Sequence, residues 1–132
     1  MKSVTIISND KIGLLADISY VLSKSRINIE SVAVDVVAGK AIINLMLSDA
    51  QKGKNALVKS GYDVEEANTV VIKLKDEPGQ LNLISDVLSK GGINIENLQI
   101  LSRAKDQTVL SIKVDKPKKA EGLLKEFAVS RK

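Results

Sequence analysis

The sequence predicts an α+β fold built twice over: two tandem copies of a strand–helix–strand–strand–helix–strand unit. Three observations predict it: a long internal repeat, β-branched segments alternating with helical spacing, and a break in strand alternation that recurs in both copies. Asp10-Lys11-Ile12-Gly13-Leu14-Leu15 returns as Asp76-Glu77-Pro78-Gly79-Gln80-Leu81. Val21-Leu22-Ser23-Lys24 returns as Val87-Leu88-Ser89-Lys90, and Ile27-Asn28-Ile29-Glu30 recurs unchanged as Ile93-Asn94-Ile95-Glu96. The period is about 66 residues, and roughly half the positions between Val4 and Val34 are identical in the second copy, beyond what chance gives.

Each copy opens with a short β-branched run, Val4 to Ser8 and Thr69 to Lys75, which reads as a strand. An Asp-x-x-Gly turn and helix-start signal follows. The helices carry Leu15, Ile18, Val21 and Leu22 in the first copy and Leu81, Ile84, Val87 and Leu88 in the second, at core-facing spacing. Ser25-Arg26 and Gly91-Gly92 end them, glycine being the expected residue after a last helical turn. In the next strand Ile27 and Ile29 fall on odd positions, whereas Val32, Val34 and Val36 fall on even ones. Ile93 and Ile95, then Leu98 and Ile100, repeat the slip. One extra residue swaps the faces of a strand, so a bulge is expected at each strand start.

Hairpins are expected at Ala38-Gly39-Lys40 and near Lys105-Asp106-Gln107, followed by strands Ala41 to Ser48 and Thr108 to Val114. Second helices are expected at about Ala50 to Ser60 and Pro117 to Phe127, the latter with proline in its first turn. Copy one closes with a strand around Tyr62 to Ala67. Copy two has only Ala128 to Lys132 for its last strand, which is therefore short or missing. The domains are thus 1–67 and 68–132. No Gly/Ser linker separates them, so one rigid body is expected. Two helices on one face of a four-stranded antiparallel sheet is the ferredoxin-like architecture. A domain of about 65 residues is marginal alone, and an edge strand in each copy offers a way to join a neighbour.

The composition closes several functional classes. With Cys 0 and His 0 the chain has no disulfide, thiolate nucleophile, histidine base or ordinary zinc site. No carboxylate cluster has EF-hand spacing, and no phosphate-loop or Gly-x-Ser-x-Gly motif occurs. No catalytic residue, metal ligand or cofactor is predicted, and the chain reads as a non-enzyme. The net charge of +4 would permit nucleic-acid contact, but only 2% of residues are aromatic, too few for a stacking platform. The basic segment from Lys113 to Lys132 alternates with Glu121, Glu126 and apolar residues, as a solvated helix does. Nucleic acid is therefore not the expected partner. No apolar run is long enough to span a membrane and no signal-peptide pattern opens the chain, so a cytoplasmic location is expected.

The βαββαβ order, the Asp-x-x-Gly-x-Leu pattern at the first strand-to-helix turn and Ile-Asn-Ile opening the second strand resemble the ACT domain family. Asn9 to Ile18 is similar to the regulatory ends of stringent-response synthetases, and Glu77-Pro78-Gly79 to the ACT domain of phosphoglycerate dehydrogenase. The resemblance covers nearly the whole chain, leaving no room for an attached catalytic domain. Free-standing tandem-ACT regulators of the glycine cleavage repressor type are its architectural analogues. It implies a regulatory protein that binds an amino acid, or another small effector, at an interface between neighbouring ACT domains. The positions it implicates are Asp10, Lys11, Ile12, Gly13, Leu14 and Leu15 with Asn28 and Ile29. In the second copy they are Asp76, Gly79, Gln80 and Leu81 with Asn94 and Ile95. A homodimer or higher homo-oligomer, and a regulated partner enzyme, are implied as well.

Local chemistry agrees with that use. The first helical turn after Asp10 offers unpaired N–H groups and a positive partial charge to a ligand carboxylate. Gly13 or Gly79 permits close approach, Asp10 or Asp76 can accept from a ligand ammonium, and Asn28 or Asn94 can both donate and accept. Each has a structural reading too: helix capping or an Asx turn for the aspartates, turn geometry for the glycines, backbone hydrogen bonding for the asparagines. Lys11 favours an anion, whereas Glu77 disfavours one and Pro78 removes a donor, so the first copy is expected to be the better carboxylate site. The rival reading is a ligand-free regulatory subunit or interaction scaffold. Acylphosphatases share the architecture, but their phosphate-cradling arginine loop has no counterpart at Ser8-Asn9-Asp10-Lys11.

Overall fold

The first β-branched run forms β1 (Ser3–Asn9), and a turn through a left-handed glycine starts helix α1 (Leu14–Lys24). Strands β2 (Ile29–Val37) and β3 (Lys40–Leu47) follow, then α2 (Ala50–Lys59) and the short β4 (Asp63–Val64). The second copy repeats the order as β5 (Thr69–Lys75), α3 (Gln80–Lys90), β6 (Ile95–Ala104), β7 (Gln107–Val114) and α4 (Pro117–Leu123), with a 3₁₀ turn over Lys125–Phe127. The computed structural model describes residues 3–65 and 68–127, which fall into two compact units divided after Glu65.

In the first unit the sheet order is β2-β3-β1-β4, with every pair antiparallel. Val4 and Ile6 lie opposite Leu45 and Ile43, so these four share a face. Leu14, Ile18, Leu22 and Leu57 from the two helices pack on that face to make the core. In the second unit the described strands run β5-β7-β6. Ile84, Leu88, Ala120 and Leu124 pack there on Val70, Ile72, Leu110 and Ile112. The ferredoxin-like pattern of helices over one face of an antiparallel sheet is thus present in both copies. The expected closing strand of the second copy, Ala128 to Lys132, lies outside the described residues, as do Glu66 and Ala67.

The slip in strand alternation is a bulge in both copies. The β2–β3 register shifts between Ile29 and Ser31, and the β6–β7 register between Ile95 and Asn97. A second shift, between Ile100 and Ser102, has no counterpart in copy one. Beyond the first bulge Val32, Val34 and Val36 lie opposite Leu45, Ile43 and Ala41, on the helix-bearing face. They stay 41–48% exposed because β2 is the edge strand, beyond the cover of the helices.

Three expectations need correction. Leu15 and Leu81 are exposed, at 39% and 44%, rather than part of the core stripe. α1 begins at Leu14, so Leu14, Ile18 and Leu22 form the inward row, and Leu15 stands about 100° round the helix from it. The first copy's closing strand is reduced to Asp63–Val64, paired with Ile7 and Ile6. The last described helix is also shorter than expected, stopping at Leu123 just after Gly122, a residue of poor helix propensity.

Candidate functional site

Backbone bonds to the neighbouring hairpin place each strand-to-helix turn. The Asp10 N–H donates to the Gly39 carbonyl at 3.1 Å, and the Asp76 N–H to the Asp106 carbonyl at 2.8 Å. Both turns are then closed by a bond across four residues: Leu14 N–H to the Lys11 carbonyl, and Gln80 N–H to the Glu77 carbonyl. Gly13 (φ 81, ψ 4) and Gly79 (φ 86, ψ −11) take the third position, with the dihedrals of a type II turn, and Pro78 sits at the second position such a turn favours.

This entry leaves the turn chemically open. Gly13 and Gly79 occupy the N-cap positions, and neither helix has a side-chain cap. Asp49, by contrast, caps α2 by accepting from the Lys52 N–H at 3.0 Å. Asp10 and Asp76 therefore cap nothing, and their carboxylates have no partner among the described residues. The backbone N–H groups of Ile12, Gly13, Leu15 and Ala16 are likewise without an acceptor there, as are those of Gly79, Leu81 and Asn82. Around the first turn the Ile12 side chain is fully exposed and Leu15 partly so, while Leu14 is buried in the core. Lys11 approaches Asp17 at 3.8 Å, an exposed pair that leaves the ammonium free to reorient. Burial, with a secondary push from the Asp17 carboxylate, raises the Tyr62 phenol above its ordinary range, so Tyr62 stays neutral.

Asn28 lies at the other end of α1. Its backbone is fastened to Ser48, whose Oγ accepts from the Asn28 N–H and whose N–H donates to the Asn28 carbonyl, both at 3.0 Å. Asp115 holds Asn94 in the same way, at 2.9 and 3.3 Å. Both side-chain amides are exposed and unpartnered among the described residues. Ile29 and Ile95 turn inward and pack against the cores. The 11 residues of α1 span about 16 Å at ~1.5 Å per residue. The Asp10 turn and Asn28 of one unit are therefore too far apart to grip one small molecule together.

No group of three or more potential metal-ligating side chains occurs among the described residues, and no helix there is long and apolar enough to cross a membrane. Sequence reasoning passed over Ser19, Ser23 and Arg26, which flank Asn28 around an open cleft; repetition of the two serines as Ser85 and Ser89 was the available signal.

The profile of the ACT domain pair family matches residues 1–130. The chain belongs to that family. No curated protein matches it. Among solved structures the ACT pair is similar to a protein of Bacteroides thetaiotaomicron, with 26% identity, a TM-score of 0.48, and coverage of 94% of this chain and 85% of the other. It is also similar to the regulatory subunit of aspartate kinase from Thermus thermophilus, at 14% identity and TM-score 0.43, covering 94% and 90%. The small subunit of acetolactate synthase from Thermotoga maritima gives 13% identity and TM-score 0.40, covering 97% and 89%.

Proposed function

We propose that this ACT pair is a non-enzymatic regulatory protein whose effector is a free amino acid. The turn from Asp10 to Leu15 of one ACT domain holds the ligand, and the Asn28 amide of a second domain completes the site. One observation carries this reading: unpaired donors and an uncapped carboxylate stand at one end of α1, and an uncommitted amide at the other. The N–H groups at the helix start suit the ligand carboxylate, and Asp10 suits its ammonium. Asn28 supplies a donor and an acceptor to either group. Bridging two domains, the ligand favours one assembly over another, and a partner enzyme or regulator reads the difference by linkage.

The rival, a ligand-free scaffold, draws on the exposed Val32, Val34 and Val36 edge, which suits a protein partner. A thermal-shift screen of the twenty amino acids separates the two. An effector at about 100 times its Kd adds roughly 2.7 kcal/mol of stability, a visible rise in melting midpoint. A response to one amino acid or a related few supports the sensor; a flat response to all twenty leaves the scaffold.

A further inference from the structure

We propose that the cleft at the C-terminal end of α1 is an oxyanion-binding site of the first unit, with Arg26 as its cation. Among the described residues three helices end in one motif, in which the residue beyond the cap is left-handed and the next N–H returns to the helix. Ile27 donates to the Leu22 carbonyl, Tyr62 to that of Leu57, and Ile93 to that of Leu88. The left-handed position is Gly61 (φ 93) in α2 and Gly92 (φ 74) in α3, but Arg26 (φ 59) in α1. Glycine takes this position without a Cβ clash, and arginine does not. A strained backbone carrying a long cation, where the repeat has glycine, points to use of the side chain.

The surroundings are suited to an anion. Ser19, Ser23, Arg26 and Asn28 line an open cleft of about 410 Å³ together with Ile27 and Ile29. Ser19 and Ser23 are one helical turn apart and so stand on one face. Among the described residues neither hydroxyl, nor the guanidinium, nor the Asn28 amide has a hydrogen-bond or ion-pair partner. The guanidinium presents a planar fork of donors that matches a carboxylate or phosphate, and the hydroxyls and amide add neutral donors. The Leu22 and Ser23 carbonyls, which would oppose an anion, already accept from Ser25, Arg26 and Ile27. The second copy keeps Ser85, Ser89 and Asn94 but has Gly92, whose carbonyl accepts from the Lys116 ammonium at 2.8 Å. Its cation is thus held by the backbone, and the Asp115 carboxylate bound to the Asn94 N–H opposes an anion there. The cleft shares Asn28 with the proposed effector site but does not rest on that reading.

The test is an NMR titration of the full chain with sodium phosphate and, separately, sodium succinate, at ionic strength held constant with chloride. Saturable shifts are expected at the amides of Ser19, Ser23, Arg26 and Asn28, with none at Ser85, Ser89, Gly92 and Asn94. A preference for phosphate identifies a phosphoryl group as the physiological anion, and a preference for succinate a carboxylate. Arg26→Gly, which installs the second copy's residue and relieves the strain, should weaken binding about tenfold or more. Arg26→Asn, also tolerant of the left-handed region, should do the same, and Asp10→Ala should leave anion binding intact even if it abolishes an amino-acid response. Absence of saturable shifts with both anions, equal shifts in the two units, or unchanged binding by both Arg26 variants would overturn the proposal.

Discussion

At the residue scale, the turn rests on glycine. Gly13 and Gly79 hold φ of 81 and 86, where an L side chain costs about 1–2 kcal/mol, although a Cβ at either would meet no atom within 4 Å. Backbone conformation alone therefore sets the penalty. Gly13→Ala should lose about 1 kcal/mol of stability, measured by denaturant titration, the strain being partly offset by the stiffer unfolded chain. A neutral or stabilising Gly13→Ala would show that the left-handed turn is not required. The glycines were legible because Asp-x-x-Gly leaves few alternatives at a positive-φ site. The role of the aspartates was not, since capping and ligand contact call for the same residue. The structure shows a side-chain cap at Asp49 and none at Asp10 or Asp76, which removes the capping use and leaves ligand contact as a proposal.

At the element scale, parity carried more information than propensity. The shift from Ile29 to Val32 gave the β2 bulge directly, because a period-2 pattern cannot change face without an extra residue. The helical stripe was less certain: Leu14 and Leu15 are both apolar, and only the start of α1 decides which one faces the sheet. Nor could apolar spacing show that Val32, Val34 and Val36 stay exposed, since an edge strand and a covered strand share one pattern. That stripe is where a second chain is expected to join, with the β2 edges adjacent. We expect the parent chain to self-associate through this edge, and Val34→Lys should then lower its sedimenting mass in sedimentation velocity while changing stability by less than about 0.5 kcal/mol, as expected for an exposed site. A Val34→Lys chain that sediments with the same mass as the parent would remove β2 from the contact.

At the scale of the whole molecule, the repeat made both units readable, and the family profile over residues 1–130 agrees with it. Assembly was not readable, because it depends on how one surface meets another. The two copies also differ where chemistry is expected: Lys11 and Ile12 correspond in the repeat to Glu77 and Pro78, and Arg26 to Gly92. The central claim, a proposal, is that the Asp10 turn of one domain and the Asn28 amide of a second act on one ligand. Calorimetric titration of the responding amino acid into the parent chain, Asp10→Ala and Asn28→Ala tests it directly. Each variant should lose about tenfold or more in affinity, since each removes a hydrogen bond to a charged ligand group, with melting midpoints unchanged. Parent-like affinity in either variant, or no binding heat from any amino acid to the parent, would contradict it.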